Sequence, residues 1–137
     1  EAVDCQPLRS GNAWIVGLLQ KMSPEVVTID GSGAQNVLKD ELEQAKVKHI
    51  VLPTVKEIVI ANTKFEQLMF SGDLCHMNQP SLKQVATNCQ KRAIGQNGGF
   101  GYKAQFDQME IGLLDSSILA IWQCSEGKEK KKQRISY

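Results

Sequence analysis

Two carboxylates in this chain stand where a carboxylate needs a reason. Asp30 closes the β-branched run Val26-Val27-Thr28-Ile29 and is followed by Gly31-Ser32-Gly33. Such a run reads as a short buried strand, and open α/β sheets bind ligands beyond the carboxyl ends of their parallel strands. Asp30 therefore either meets a ligand there or caps the turn by bonding the amides of the glycine loop. Asp115 lies four residues after Ile111 and four before Leu119, which sets it on the apolar side of a predicted helix. A carboxylate buried in that way is costly unless it is paired, hydrogen-bonded or bound to a metal. Its competing reading is an N-cap, with the helix starting at Ser116-Ser117. Taken together, a strand-end and a helix-borne aspartate can hold Mg²⁺ or Mn²⁺, ions that favour oxygen ligands. Two such ions, roughly 3.5–4 Å apart, stabilise the attacking and leaving oxygens in phosphodiester cleavage. Periodicity permits the two acids to converge and does not require it.

Other chemistry is less well marked. The Gly31-Ser32-Gly33 loop also suits a phosphate cradle at a helix N-terminus. A dinucleotide fingerprint needs glycine or alanine where Asn36 stands, and the Gly-Lys-Ser/Thr of a P-loop is absent from the sequence. The four cysteines, Cys5, Cys75, Cys89 and Cys124, form no CxxC pair. That spacing argues against zinc and for reduced thiols in a cytoplasmic setting. His76 reads as a turn histidine that fixes a loop. Lys103 reads either as a phosphate contact or as a solvated lysine on an extended segment.

Several elements must position these residues. Glu1 to Cys5 has the pattern of a strand end. From Ala13 to Met22 the apolar positions 14, 15, 18, 19 and 22 have helical spacing, stopped by Ser23-Pro24. After Asp30, Ser32 and Gln35 match a capping box for a helix with stripe Ala34, Leu38, Leu42 and Ala45. Lys48 to Leu52 is the next predicted strand. Strand, helix and strand in this order are the βαβ signature of a parallel pair, with a helix long enough for the right-handed crossover. The pattern then predicts a helix within Lys56–Phe70 and another entered at Asn78-Gln79-Pro80, with Leu82, Val85, Ala86, Cys89 and Ala93 on one face. Gly95 to Gly99 reads as a loop or hairpin turn, and Phe100 to Phe106 as extended. Ile111 to Cys124 reads as a helix with Ile111, Leu114, Ile118 and Trp122 inward.

The bulk numbers fit a domain able to bury a core: 137 residues, 42% hydrophobic and 23% charged, with net charge +1. No apolar run approaches the roughly 20 residues of a membrane span, so no membrane partner is expected. The charge is uneven, since Gly127 to Tyr137 reads GKEKKKQRISY. Lys128, Lys130, Lys131 and Lys132 there either contact phosphates or form a solvated, flexible end. The expected organisation is thus a domain over residues 1–126 and a basic, flexible tail over 127–137.

Three blocks of the sequence, in order, resemble the C-terminal nuclease domain of the large terminase subunit of tailed bacteriophages. The first is VVTIDGSGAQNVLKDELEQAKV, similar to that family's strand, aspartate, small residues and helix. The second is KFEQLMFSGDLCHMNQPSLKQVATN, in which Gly72, Leu74, His76, Asn78, Pro80 and Asn88 match the family's pattern. The third is Lys103 followed by MEIGLLDSSILAIWQC, with Asp115 and Ala120 in place. The chain departs from the family's common pattern at Gly31, Pro53-Thr54, Leu114 and Ser116. The likeness runs from about Val26 to Cys124.

The resemblance implies a ribonuclease-H-like α/β fold, a mixed sheet flanked by helices. It implies an endonuclease that cuts concatemeric double-stranded DNA during genome packaging, with three acids holding two Mg²⁺ or Mn²⁺ ions. By position Asp30 is the second acid and Asp115 the third. The first belongs to an opening strand, and with Glu1 in place of an initiator methionine the expectation is a domain truncated on its N-terminal side and weakly active or inactive alone. The implied partners are the terminase ATPase domain, the small terminase subunit and the portal, in the cytoplasm of an infected bacterium. Two other readings remain open: a noncatalytic DNA- or protein-binding module of the same fold, and an unrelated α/β nucleotide-binding domain.

Overall fold

The computed structural model describes residues 3–31 and 33–133, with side chains as far as Gly127. The described chain is mixed α/β and divides into two units, Asp4–Pro53 and the stretch from Thr54 onward. Its four strands pair as two separate two-stranded ladders, one parallel and one antiparallel. No described helix is long and apolar enough to cross a membrane.

The first unit follows the predicted βαβ pattern. Helix α1 spans Ala13–Met22, strand β1 Val27–Thr28, helix α2 Gln35–Gln44 and strand β2 Ile50–Val51. Strand β1 pairs in parallel with β2, Val27 opposite Ile50 and Thr28 opposite Val51. The Val27 and Ile29 amides donate to the carbonyls of His49 (3.0 Å) and Val51 (2.9 Å). Val27, Ile29 and the fully buried Leu42 form the centre of the core, closed by Val16 and Leu19 of α1 and by Leu38, Ile50 and Leu52. The N-cap of α2 is Ala34, whose side chain makes no cap bond. The Ser32 half of the expected capping box lies outside the described residues. Val3 to Cys5 belong to no strand.

In the second unit, helix α3 spans Val55–Ser71, α4 Pro80–Thr87 and α5 Gly112–Gln133, with strands β3 Cys89–Ile94 and β4 Gly99–Ala104 between the last two helices. A capping box starts α3: the Glu57 amide donates to the Thr54 hydroxyl (3.3 Å), and the Thr54 amide donates to Glu57 Oε2 (2.7 Å). Those donations from Thr54 hold the Glu57 carboxyl below its usual range. Gly95 and Gly98 carry the turn between β3 and β4 with φ of 70° and 73°, a region that favours glycine. The predicted inner stripe of α5 is in place, with Ile111, Leu114, Ile118 and Trp122 buried against Ala61 and Val85.

One predicted element is overturned. The face through Leu82, Val85, Ala86, Cys89 and Ala93 is not a single helix, because α4 ends at Thr87 and Cys89 opens β3. The Thr87 hydroxyl donates to the Lys83 carbonyl (2.9 Å) and the Asn88 side-chain amide to the Gln84 carbonyl (2.8 Å). Side-chain bonds of this sort compete with further helix and close the last turn. At the other end, the α5 backbone stays helical through Gln133, so Gly127 marks no break in it.

Candidate functional site

Asp30 belongs to the first unit. The ladder bond from the Ile29 amide to Val51 fixes the chain up to the residue before it. The Asp30 side chain then emerges exposed at the carboxyl end of β1. Its position is the strand end expected from the sequence, at the edge where βαβ units meet ligands.

Asp115 belongs to the second unit. Helix α5 begins at Gly112, so Asp115 sits within its first turn and is not an N-cap. The Asp115 amide donates to the Ile111 carbonyl (3.0 Å) as an ordinary helical bond. Ser116 and Ser117, which suggested a later start, lie inside the helix and donate their hydroxyls to the Leu113 carbonyl at 3.2 and 2.7 Å. The side chain of Asp115 is half-buried, flanked by buried Leu114 and Ile118. Negative charge in a first turn is also favoured by the helix dipole.

Cys89 is the chemical group that the fold brings near Asp115. Burial pushes the Cys89 thiol up, and the Asp115 charge pushes it further in the same direction. The thiol donates to the Ala86 carbonyl at 3.2 Å. A half-buried thiol held protonated is a poor nucleophile, so this cysteine acts as packing. Among the described residues no three His, Cys, Asp or Glu side chains form a group able to hold a metal ion.

The remaining predicted residues are dispersed. Lys103 is exposed on β4, opposite Gln90 of β3. His76 takes a turn role: its Nδ1 accepts the Asn78 amide at 3.1 Å, and Asn78 has a φ of 53°. Asn88 is the C-cap of α4, and its carbonyl accepts the Gln105 amide at 2.9 Å. The side chains of Lys128, Lys130, Lys131 and Lys132 lie outside the described residues. An open groove of about 540 Å³ lies between α4 and the start of α5, lined by Gln84, Val85, Phe106, Met109 and Leu113.

Sequence reasoning missed one cluster. Glu66 of α3 accepts the Tyr102 hydroxyl at 2.7 Å and the Lys91 ammonium at 2.8 Å, and that ammonium lies 4.2 Å from the Phe100 ring centre. Burial alone raises the Glu66 carboxyl, but the bonds from Lys91 and Tyr102 outweigh it and hold the group below its ordinary value. Burial and the Glu66 carboxylate together push the Tyr102 phenol well up. The cluster fastens the β3–β4 hairpin to α3. Its only sequence signal is an acid on one element and a base on another, 25 residues apart. Comparison with family models, with curated proteins and with solved structures finds no match to this chain.

Proposed function

We propose that this chain is part of a metal-dependent endonuclease with a ribonuclease-H-like core, of the kind found in the large terminase subunit of tailed bacteriophages. The observation that carries the reading is the exposed aspartate at the carboxyl end of β1, within a parallel βαβ unit. The half-buried carboxylate of Asp115 in the first turn of α5 supports it. Both donors are carboxylate oxygens, which suit Mg²⁺ or Mn²⁺ better than softer metals. Bound divalent ions supply charge stabilisation to the entering and leaving oxygens of a phosphodiester.

In this reading Asp30 and Asp115 each offer oxygen ligands and orient the scissile phosphate through the ions they hold. Asp30 is open to solvent and can exchange water for substrate. Asp115, in a drier setting, keeps its charge through the helix dipole. The substrate is double-stranded DNA, cut as a concatemer during packaging in the cytoplasm of the infected bacterium. The ATPase domain of the terminase, its small subunit and the portal are the partners.

Paramagnetic Mn²⁺ titration followed by amide NMR tests the site. Saturable broadening of the amides around both Asp30 and Asp115 is expected, and Asp30→Asn or Asp115→Asn alone should abolish it at both places. Broadening confined to one aspartate, or saturable binding that survives both substitutions, would overturn the shared site. Nucleotide binding indifferent to both substitutions would instead favour an α/β nucleotide-binding domain.

A further inference from the structure

The β3–β4 hairpin has two chemically different faces. In an antiparallel pair, residues directly opposite one another point to the same side. Cys89 opposite Ala104, and Lys91 opposite Tyr102, share the face turned to the helices. Cys89, Tyr102 and Ala104 pack against the core there, and Lys91 is taken up by Glu66. Gln90 opposite Lys103, and Arg92 opposite Gly101, point the other way. The bond from the Gln105 amide to the Asn88 carbonyl continues the ladder by one pair and adds Gln105 to that outward row.

The outward row has a consistent character. Gln90, Arg92, Lys103 and Gln105 are all exposed. Neither strand contains an Asp or Glu. The Arg92 Nε donates to the Tyr102 carbonyl at 3.1 Å, which steadies the guanidinium on the ribbon. Two cations flanked by two amide side chains, with no carboxylate among them, match the needs of a nucleic-acid backbone. Arginine and lysine take phosphate oxygens, while glutamine can bond sugar or base-edge atoms. A two-stranded ribbon is also narrow enough to lie in a major groove.

We infer that this outward face of the β3–β4 ribbon, Gln90, Arg92, Lys103 and Gln105, is a docking surface for double-stranded nucleic acid. The inference deepens the nuclease reading by naming where the substrate duplex is held, and it rests on that reading for the choice of a duplex over an acidic protein. Its partner is recognised through phosphates, so binding requires no divalent ion.

The test is fluorescence anisotropy of a short labelled DNA duplex with the whole chain, in EDTA, across a salt series. Working without metal keeps the result separate from the Mn²⁺ titration, so either can fail alone. Each phosphate contact contributes about 0.9 to the slope of log affinity against log salt, so Arg92→Gln with Lys103→Gln should make the slope shallower by about 1.8. Lys103→Glu should weaken binding more than Lys103→Gln. Lys91→Gln, on the inward face, should leave the slope unchanged, and circular dichroism confirms that each variant is folded. A wild-type chain that does not bind the duplex, or a folded double variant with the wild-type slope, overturns the proposal. So does equal competition by polyglutamate, which would make the face a general site for acidic proteins.

Discussion

Glu66→Gln is the sharpest test of how the second unit is held together. The substitution keeps the side-chain shape and removes the charge. Both carboxylate oxygens are engaged: Tyr102 and Lys91 donate to Oε1 at 2.7 and 2.8 Å, and Lys91 also to Oε2 at 2.8 Å. An amide offers one acceptor in place of two and turns a donor toward the other side. The Lys91 side chain, 56% exposed, can swing into water, whereas Glu66 at 16% is well shielded. The exposed ion pair is therefore worth at most about 1 kcal/mol. Loss of the charge from the Tyr102 bond adds a similar amount, because bonds to charged groups are worth about 1 kcal/mol more than neutral ones. The expected cost is about 1–2 kcal/mol, a shift of roughly 0.3–2 M in a urea midpoint at typical m values. Trp122 is buried in this unit and Trp14 lies in the other, so fluorescence in a Trp14→Phe background isolates the transition. The pH dependence carries a further demand. Glu66 is depressed below its ordinary 4.5, so its contribution is fully present above that value and disappears as pH falls through the lower, folded one. The gap between wild type and variant should close at acid pH. An unshifted midpoint at neutral pH, or a gap that does not vary with pH, would refute the reasoning.

Two further outcomes are expected. Gly99→Ala places a Cβ 2.7 Å from Val59 Cγ2 and 2.9 Å from the Ile94 carbonyl oxygen; the backbone cannot yield easily, so urea unfolding should show a loss of about 1–3 kcal/mol. Asp115→Asn removes a charge that, after burial, helps to keep the Cys89 thiol protonated. In a chain whose exposed Cys5, Cys75 and Cys124 are replaced by serine, the pH profile of Cys89 reaction with a disulfide reagent should move to lower pH, and an unmoved profile would separate the two side chains.

Local signals carried much of the fold into view before any coordinates. Helix α1 has the bounds its apolar spacing indicates, Ala13–Met22, because Ser23-Pro24 stops it within the same few residues. The βαβ order was legible for the same reason: β-branched runs and an amphipathic helix follow one another directly. The end of α4 was not legible. Cys89 and Ala93 continue a helical stripe from Val85, but with Lys91 between them they equally fit the alternation of a strand. The ladder with Gly99–Ala104 decides between the two, and that partner lies beyond a helical window. Asp115 was placed on the correct helix, while two serines blurred where it begins; their hydroxyls prove to bond inside the helix. The Glu66, Lys91 and Tyr102 cluster depends on tertiary packing, so no periodicity foretells it.

The division between Pro53 and Thr54 has a consequence for how the chain is made. Proline ends the β2 segment and threonine caps α3 in adjacent positions, so no linker residues are spent between the two units. Every residue in the core of the first unit, from Val16 to Leu52, precedes that boundary. On a ribosome, where domains form as units from the N-terminal side, the parallel ladder and its crossover helix therefore need nothing that has yet to be translated. The order of synthesis can be the order of folding.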